Sequence, residues 1–361
     1  MFTTEDELEE QLFSLRYSPE TEETERMLLK CISESQRFKN IDLEFDARYM
    51  YVKNAVFINK AELAIAMFPW LLKKCDEERE RFDYFDVLWS YKWIIGHIHE
   101  YTRIPLQTIE NLYLDLEKRY VDFGEGRRMF YYLKMQYYDV IGELEQAKEY
   151  FNLYKKTKNK KGYLDDCVAC QHNNVINHTL SQYEYKLSFK EAKPIFESGR
   201  VCHEVPQTTY SKMVLAALAT QKMEEAEQNA FLAKKSLPIK INNMLCFATL
   251  ILFYTIKKDW VKGRNLIEKQ VQYIYTSAAE YQKFYFLLSV EIFIKQLIND
   301  NKRYKSIKFK YQNKVENADV LLSEIQPMLQ KIIIDFNTRN GNNYYTDQYN
   351  EWYRILNLYK S

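Results

Sequence analysis

The sequence predicts an all-α chain built as an α-solenoid, a right-handed superhelix of helical hairpins, and three observations carry that reading. Only 8 of the 361 residues are Gly and 7 are Pro, so the tight turns that a sheet-rich fold needs are scarce. Between Met129 and Pro238 a hairpin signature recurs: Gly142-Glu143-Leu144-Glu145-Gln146-Ala147 with Phe151, Phe189-Lys190-Glu191-Ala192 with Phe196, and Met223-Glu224-Glu225-Ala226 with Ala233 and Pro238. Ala192 and Ala226 lie 34 residues apart, and self-similarity at such a period marks a repeat architecture. The 30 Tyr and 21 Phe are then expected to fill contacts between stacked helices.

Four regions follow along the chain. Residues 1–45 read as an N-terminal helical cap. Thr4 offers an N-cap ahead of Glu5, Asp6 and Glu7, Leu8, Leu12 and Leu15 make one apolar face, and Ser18-Pro19 breaks the helix before Glu20–Phe38 resumes it. Residues 46–126 read as irregular hairpins. The first turns at Asn59-Lys60 and carries Ala64 and Phe68, and Pro69 is expected to kink or end its second helix. The next turns at Arg103-Ile104-Pro105, with Pro105 suited to a helix start. Two of the eight glycines fall in Val121–Arg127, the expected joint before the regular repeats.

Residues 127–275 hold those regular repeats, the last of them turning at Lys257-Lys258-Asp259-Trp260 with Gly263 as the small residue that lets helices approach. Residues 276–361 read as C-terminal helices over Ser277–Ile298, Asn317–Phe336 and Tyr344–Tyr359. The basic run Lys302–Lys310 joins the first two, and the last is expected to seal the end of the array.

Composition narrows the function. Lys plus Arg number 51 against 50 Asp plus Glu, a net charge of +1, so no global field draws the chain to nucleic acid or an acidic membrane. The acidic opening Met1–Glu7 is followed by no apolar run of export length, and Leu245–Ile256 is shorter than the roughly 20 residues of a membrane span. Six scattered cysteines do not resemble a disulfide framework, so a reducing cytoplasm is the expected location.

With its hairpin signatures and 34-residue spacing, this part of the chain resembles the tetratricopeptide-repeat family. The resemblance implies a concave surface lined by the first helix of each hairpin. Counting back from the small residues puts Tyr132, Gln136 and Asp139 there from one helix, Asn174, Asn177 and Ser181 from the next, and Thr208, Ser211 and Lys212 from a third. Side-chain amides both donate and accept, which suits the main chain of an extended peptide. The competing reading is that such amides are simply solvated.

The sharpest chemical motif is Cys167-Val168-Ala169-Cys170, with Cys202-His203 one period later. Neighbouring helices pack about 8–10 Å apart, so Cys167, Cys170, Cys202 and His203 (or His172) are candidate ligands of a tetrahedral structural Zn²⁺. No other cofactor is expected. The alternative is that these are small, reduced packing residues. The segment also resembles a bacterial group of repeat proteins in which a C-x-x-C precedes Cys-x-Glu-Val-Pro-x-x-Thr, here Cys202, Glu204, Val205, Pro206 and Thr209. That likeness implies no particular activity.

Other chemistry is poorly represented. His97 and His99, two apart, fall on different helix faces. No phosphate loop, nucleophile elbow or His-Glu-x-x-His helix occurs. Lys302–Lys310 interleaves Lys with Tyr304 and Phe309 as single-strand binders do, but an exposed loop is the simpler reading at this net charge. The expected function is therefore non-catalytic: an adaptor or regulator binding a protein or peptide segment. The alternatives are a regulator resembling the bacterial peptide-pheromone receptors, or a metal-binding protein or enzyme centred on Cys167, Cys170 and Cys202.

Overall fold

Polar caps and left-handed turn residues set where the helices begin and end in this computed structural model, which describes residues 2–158, 162–300 and 304–360. The described residues are overwhelmingly helical, and two units can be distinguished: Met1–Leu133 with Asn159–Leu164, and Lys134–Lys158 with Asp165–Ser361.

In the first unit α1 (Glu5–Leu15), α2 (Glu22–Phe38), α3 (Ile41–Phe57), α4 (Ala61–Glu77), α5 (Tyr84–Ile98) and α6 (Leu106–Phe123) follow one another. The hydroxyl of Thr4 accepts the Glu7 amide hydrogen at 3.2 Å, Thr21 accepts from Thr24, Asn40 from Leu43 and Asp83 from Asp86. Each supplies a partner for an amide that a helix start leaves unpaired. Helices α2 to α5 pack each on the next, and α3 also packs on α5. Leu8, Leu28, Ala47, Ala55, Leu71 and Val87 form part of the buried interior.

Pro69 does not end its helix, one of the two effects expected of it: α4 runs through it to Glu77. The proline forfeits one backbone hydrogen bond, but Leu71, Leu72 and Cys75 beyond it are buried, and their burial outweighs the lost bond.

Helix α7 (Arg127–Ile141) contributes its residues from 134 onward to the second unit. There follow α8 (Leu144–Lys156), α9 (Val168–Ser181), α10 (Tyr185–Glu197), α11 (Gln207–Ala219), α12 (Met223–Ser236), α13 (Met244–Ile256), α14 (Trp260–Gln270), the single turn α15 (Tyr273–Thr276), α16 (Glu280–Asp300), α17 (Ala318–Asn340) and α18 (Tyr344–Asn357). Helix α9 packs on α10 and α11, α11 on α12 and α13, and α13 on α14 and α16. The predicted small residues Ala147, Ala192 and Ala226 are fully buried, and a Cβ on Gly263 would collide with the Phe293 ring.

One turn recurs in both units. Asn59, Gly142, Tyr183, Gln221 and Lys258 all adopt positive φ between two helices. The following amide then reaches back to the earlier helix: Lys60 to Ala55, Glu143 to Tyr138, Glu184 to Thr179, Lys222 to Ala217 and Asp259 to Tyr254, at 2.8–3.0 Å. This is the Schellman closure, which satisfies carbonyls that a helix end leaves open.

Strand was not expected, yet β1 (Lys308–Tyr311) and β2 (Lys314–Asn317) form an antiparallel hairpin. Gln312 and Asn313, both at positive φ, make the kind of two-residue turn that matches strand twist. Phe309 and Tyr311 are buried while Lys308 and Lys310 are exposed, so the strand's aromatic rings are unavailable to stack on bases. Lys302 and Arg303 of the predicted basic run lie outside the described residues.

Candidate functional site

Polar side chains join α9 to α11. The buried Asn173 amide donates to Thr208 Oγ1 at 3.2 Å and accepts from the Thr209 hydroxyl at 2.8 Å. Its main-chain carbonyl accepts from Lys212 Nζ at 3.1 Å. No carboxylate of the described residues lies within ion-pair distance of Lys212. The residue is only half-buried by exposed area, but its ammonium sits deep enough that desolvation pushes the amine down to about 8. Sequence reasoning named Thr208 and Lys212 and missed Asn173, whose neighbour Asn174 it named instead.

Four of the predicted groove residues, Asn177, Ser181, Ser211 and Lys212, line one small cavity of about 70 Å³. Its other side is closed by Gln348 and Trp352 of α18. That helix docks along the second unit. Tyr345 donates to the Val140 carbonyl at 3.0 Å, Gln348 to Tyr183 at 2.9 Å, and Tyr359, just past the helix, to the Leu218 carbonyl at 2.9 Å. Tyr185 donates to Glu351 at 2.6 Å. The Tyr345 ring stacks on Phe336 at 3.9 Å, and Trp352 is 1% exposed.

The remaining groove residues lie elsewhere. Asp139 is sealed inside, accepting from His178 Nδ1 at 2.9 Å and Gln182 at 3.2 Å. Burial raises its carboxyl above the ordinary value even though both partners oppose the rise. Asn174 donates to Asp166 at 3.2 Å. Tyr132 is buried in the first unit and Gln136 half-buried in the second.

The first unit holds an open cleft of about 590 Å³. Asp42, Asp46, Tyr49 and Lys53 recur along one face of α3, and Asp83, Asp86 and Trp93 come from the start and body of α5. Arg81 clamps Asp42 with two bonds of 2.8 and 2.9 Å, and Arg16 pairs with Asp46 at 2.7 Å. Asp86 is shifted up by burial and by the charges of Asp83 and Asp46, against the pull of Arg16. The α3 spacing of four, three and four was legible as a helix face; its pairing with α5 was not.

The cysteines Cys167, Cys170 and Cys202 converge, their sulfur atoms lying within 4.8 Å of one another. Cys167 caps α9, its Sγ accepting the Cys170 amide hydrogen at 3.5 Å. Cys202 sits on a turn closed by reciprocal backbone bonds with Val205 of 2.9 and 3.3 Å, and Val205 is buried. Burial pushes the Cys170 thiol up. It pushes Cys167 up as well, but the amide and thiol hydrogen bonds of Cys170, with those of Cys202 and Ala169, outweigh it and leave Cys167 lowered. His203, the expected fourth ligand, is exposed and outside this group, and His172 Nε2 lies 2.8 Å from Arg200.

Comparison with protein-family models, with curated proteins and with solved structures finds no significant match to this chain. No helix among the described residues is long and apolar enough to cross a membrane.

Proposed function

We propose that the protein is a non-catalytic, cytoplasmic helical-repeat scaffold of tetratricopeptide type that binds a protein or peptide segment, and that the segment enters the cleft of the first unit. The open 590 Å³ cleft carries the reading, since its volume falls within the roughly 300–1,000 Å³ of ligand sites. The repeated Schellman turns and the packing of alternate helices support the solenoid architecture. Six free cysteines accord with a reducing compartment.

The cleft's chemistry selects its occupant. Six carboxylates (Glu9, Glu20, Asp42, Asp46, Asp83 and Asp86) line it against three cations (Arg16, Lys53 and Arg81), beside Tyr49 and Trp93, and an acidic excess next to aromatic faces favours Lys or Arg side chains. A basic, extended segment is therefore the expected ligand. The small cavity under α18 is a poor alternative, because 70 Å³ admits little beyond water.

Fluorescence anisotropy with Lys/Arg-containing peptides and matched Glu-containing controls tests this. Binding of the basic set should weaken at least about fivefold in an Asp46→Asn/Asp86→Asn variant, as expected when charged contacts are lost. Equal affinity of variant and parent, or of basic and acidic peptides, would refute the reading.

A further inference from the structure

We propose that Cys167, Cys170 and Cys202 together bind one zinc ion through three thiolates, leaving the fourth coordination position to water or an incoming donor. The three sulfur atoms already lie within 4.8 Å of one another. Zn–S bonds of about 2.3 Å in a tetrahedron separate sulfurs by roughly 3.8 Å, so contraction by at most about an ångström completes the set. Three soft sulfur donors select zinc over the hard cations that take oxygen ligands.

The elements that carry the cysteines are fixed independently of any metal. Cys167 and Cys170 bracket the first turn of the 14-residue α9, and their relative position is held by the Cys170 amide bond to Cys167 Sγ. Cys202 is held by its paired backbone bonds to Val205, whose buried side chain anchors the turn ahead of α11. The two elements are tied together by Asn173, Thr208 and Thr209.

Charge supplies a second argument. Binding converts three thiols and Zn²⁺ into a centre of net charge −1 with release of three protons. The amides at the start of α9 favour negative charge there. Lys212 Nζ, bonded to the Asn173 carbonyl of the same helix at 3.1 Å, adds a positive charge between α9 and α11.

The geometry also says why the site is three-coordinate in protein ligands. His203 contributes no atom to the cluster, and His172 faces the Arg200 guanidinium with its Nε2. Cys167 and Cys202 are exposed, so the vacant position opens to solvent. Zinc with three protein ligands and one exchangeable position is the arrangement of reactive rather than closed structural sites.

The test uses the full chain, purified reduced and without chelator. Zinc is counted by inductively coupled plasma mass spectrometry, and stripped protein is reconstituted anaerobically with Co²⁺ and followed by absorption. The expectation is about one metal per chain, an intense thiolate-to-cobalt charge-transfer band, and ligand-field bands that shift on adding imidazole, which reports the exchangeable position. Cys167→Ser, Cys170→Ser and Cys202→Ser should each lose the metal, while His203→Ala, His172→Ala and Cys75→Ala retain it. Circular dichroism establishes that the variants are folded; if a cysteine variant is not, the charge-transfer intensity of the parent still counts its thiolates. Failure of the reduced parent to take up Zn²⁺ or Co²⁺ would overturn the proposal, and so would loss of the metal in His203→Ala, or ligand-field bands indifferent to imidazole.

Discussion

The two units place similar helices around very different surfaces. In the first, Asp46, Tyr49, Asp86 and Trp93 line a cleft of about 590 Å³. In the second, the matching polar positions Asn177, Ser181 and Ser211 look into a space of about 70 Å³, because α18 lies across them. The difference is not in the hairpins, which close with the same turn in both. It lies in whether the chain provides its own cover. A helix that brings Tyr345, Trp352, Ile355 and Leu356 to the surface of the second unit turns a binding face into interior.

That contrast can be broken most sharply at Trp352. Truncation to Ala removes a ring 1% exposed and packed 5.6 Å from that of Tyr285, and should cost about 4 kcal/mol. Urea unfolding should show the loss in the second unit, with the Trp93 region keeping its midpoint; a joint shift would mean that the units unfold together. Next in size is Asp139→Ala, which strands His178 in the interior and should cost about 3 kcal/mol. A cost near zero would mean that the pair is not buried in solution.

Lys212→Met probes the polar seam of the covered face. The folded-state amine gives up its proton near 8, whereas an unfolded lysine does so near about 10.4. Between those values the unfolded chain binds more protons, so stability climbs with pH across the window and carries a constant deficit below it. The metal-free variant should therefore be more stable than its parent at neutral pH and should lack the climb; parallel pH curves would contradict the assignment. The smallest effect is expected in the open cleft. Asp46→Asn/Asp86→Asn relieves like charges but forfeits the Arg16 pair, so stability should stay within about 0.5 kcal/mol while peptide binding falls. A larger loss of stability would show the cleft to be part of the framework.

Local features were legible in the sequence where local physics decides them. Thr4 as a cap, the turns at Asn59, Gly142 and Lys258, and the buried Ala147, Ala192 and Ala226 follow from capping, backbone freedom and helix period. Of the two effects expected of Pro69, ending the helix fails because Leu71 and Cys75 beyond it are buried. The β1–β2 turn was missed because Gln312-Asn313 is not among the dipeptides that announce it.

The candidate sites divide along the same line. Cys167, Cys170 and Cys202 came together because a one-period offset brings equivalent ends of neighbouring helices close. His203 did not, since the turn that fixes Cys202 does not carry the next side chain to the same point. The role of α18 was illegible. Spacings of four, three and one among Tyr345, Tyr349, Trp352 and Tyr353 declare apolar faces but not what they meet.

The docking of α18 also orders events in time. The carbonyls of Val140 and Ile141, at the end of α7, receive their bonds from Tyr345 and Asn342, 205 and 201 residues downstream. At translation speeds of about 5–20 residues per second, that gap is roughly 10–40 s of synthesis. Until α18 has been made, these two carbonyls lack the partners that the folded second unit gives them. The second unit is thus completed only when α18 has been made, and the end of α7 waits longest for its partners.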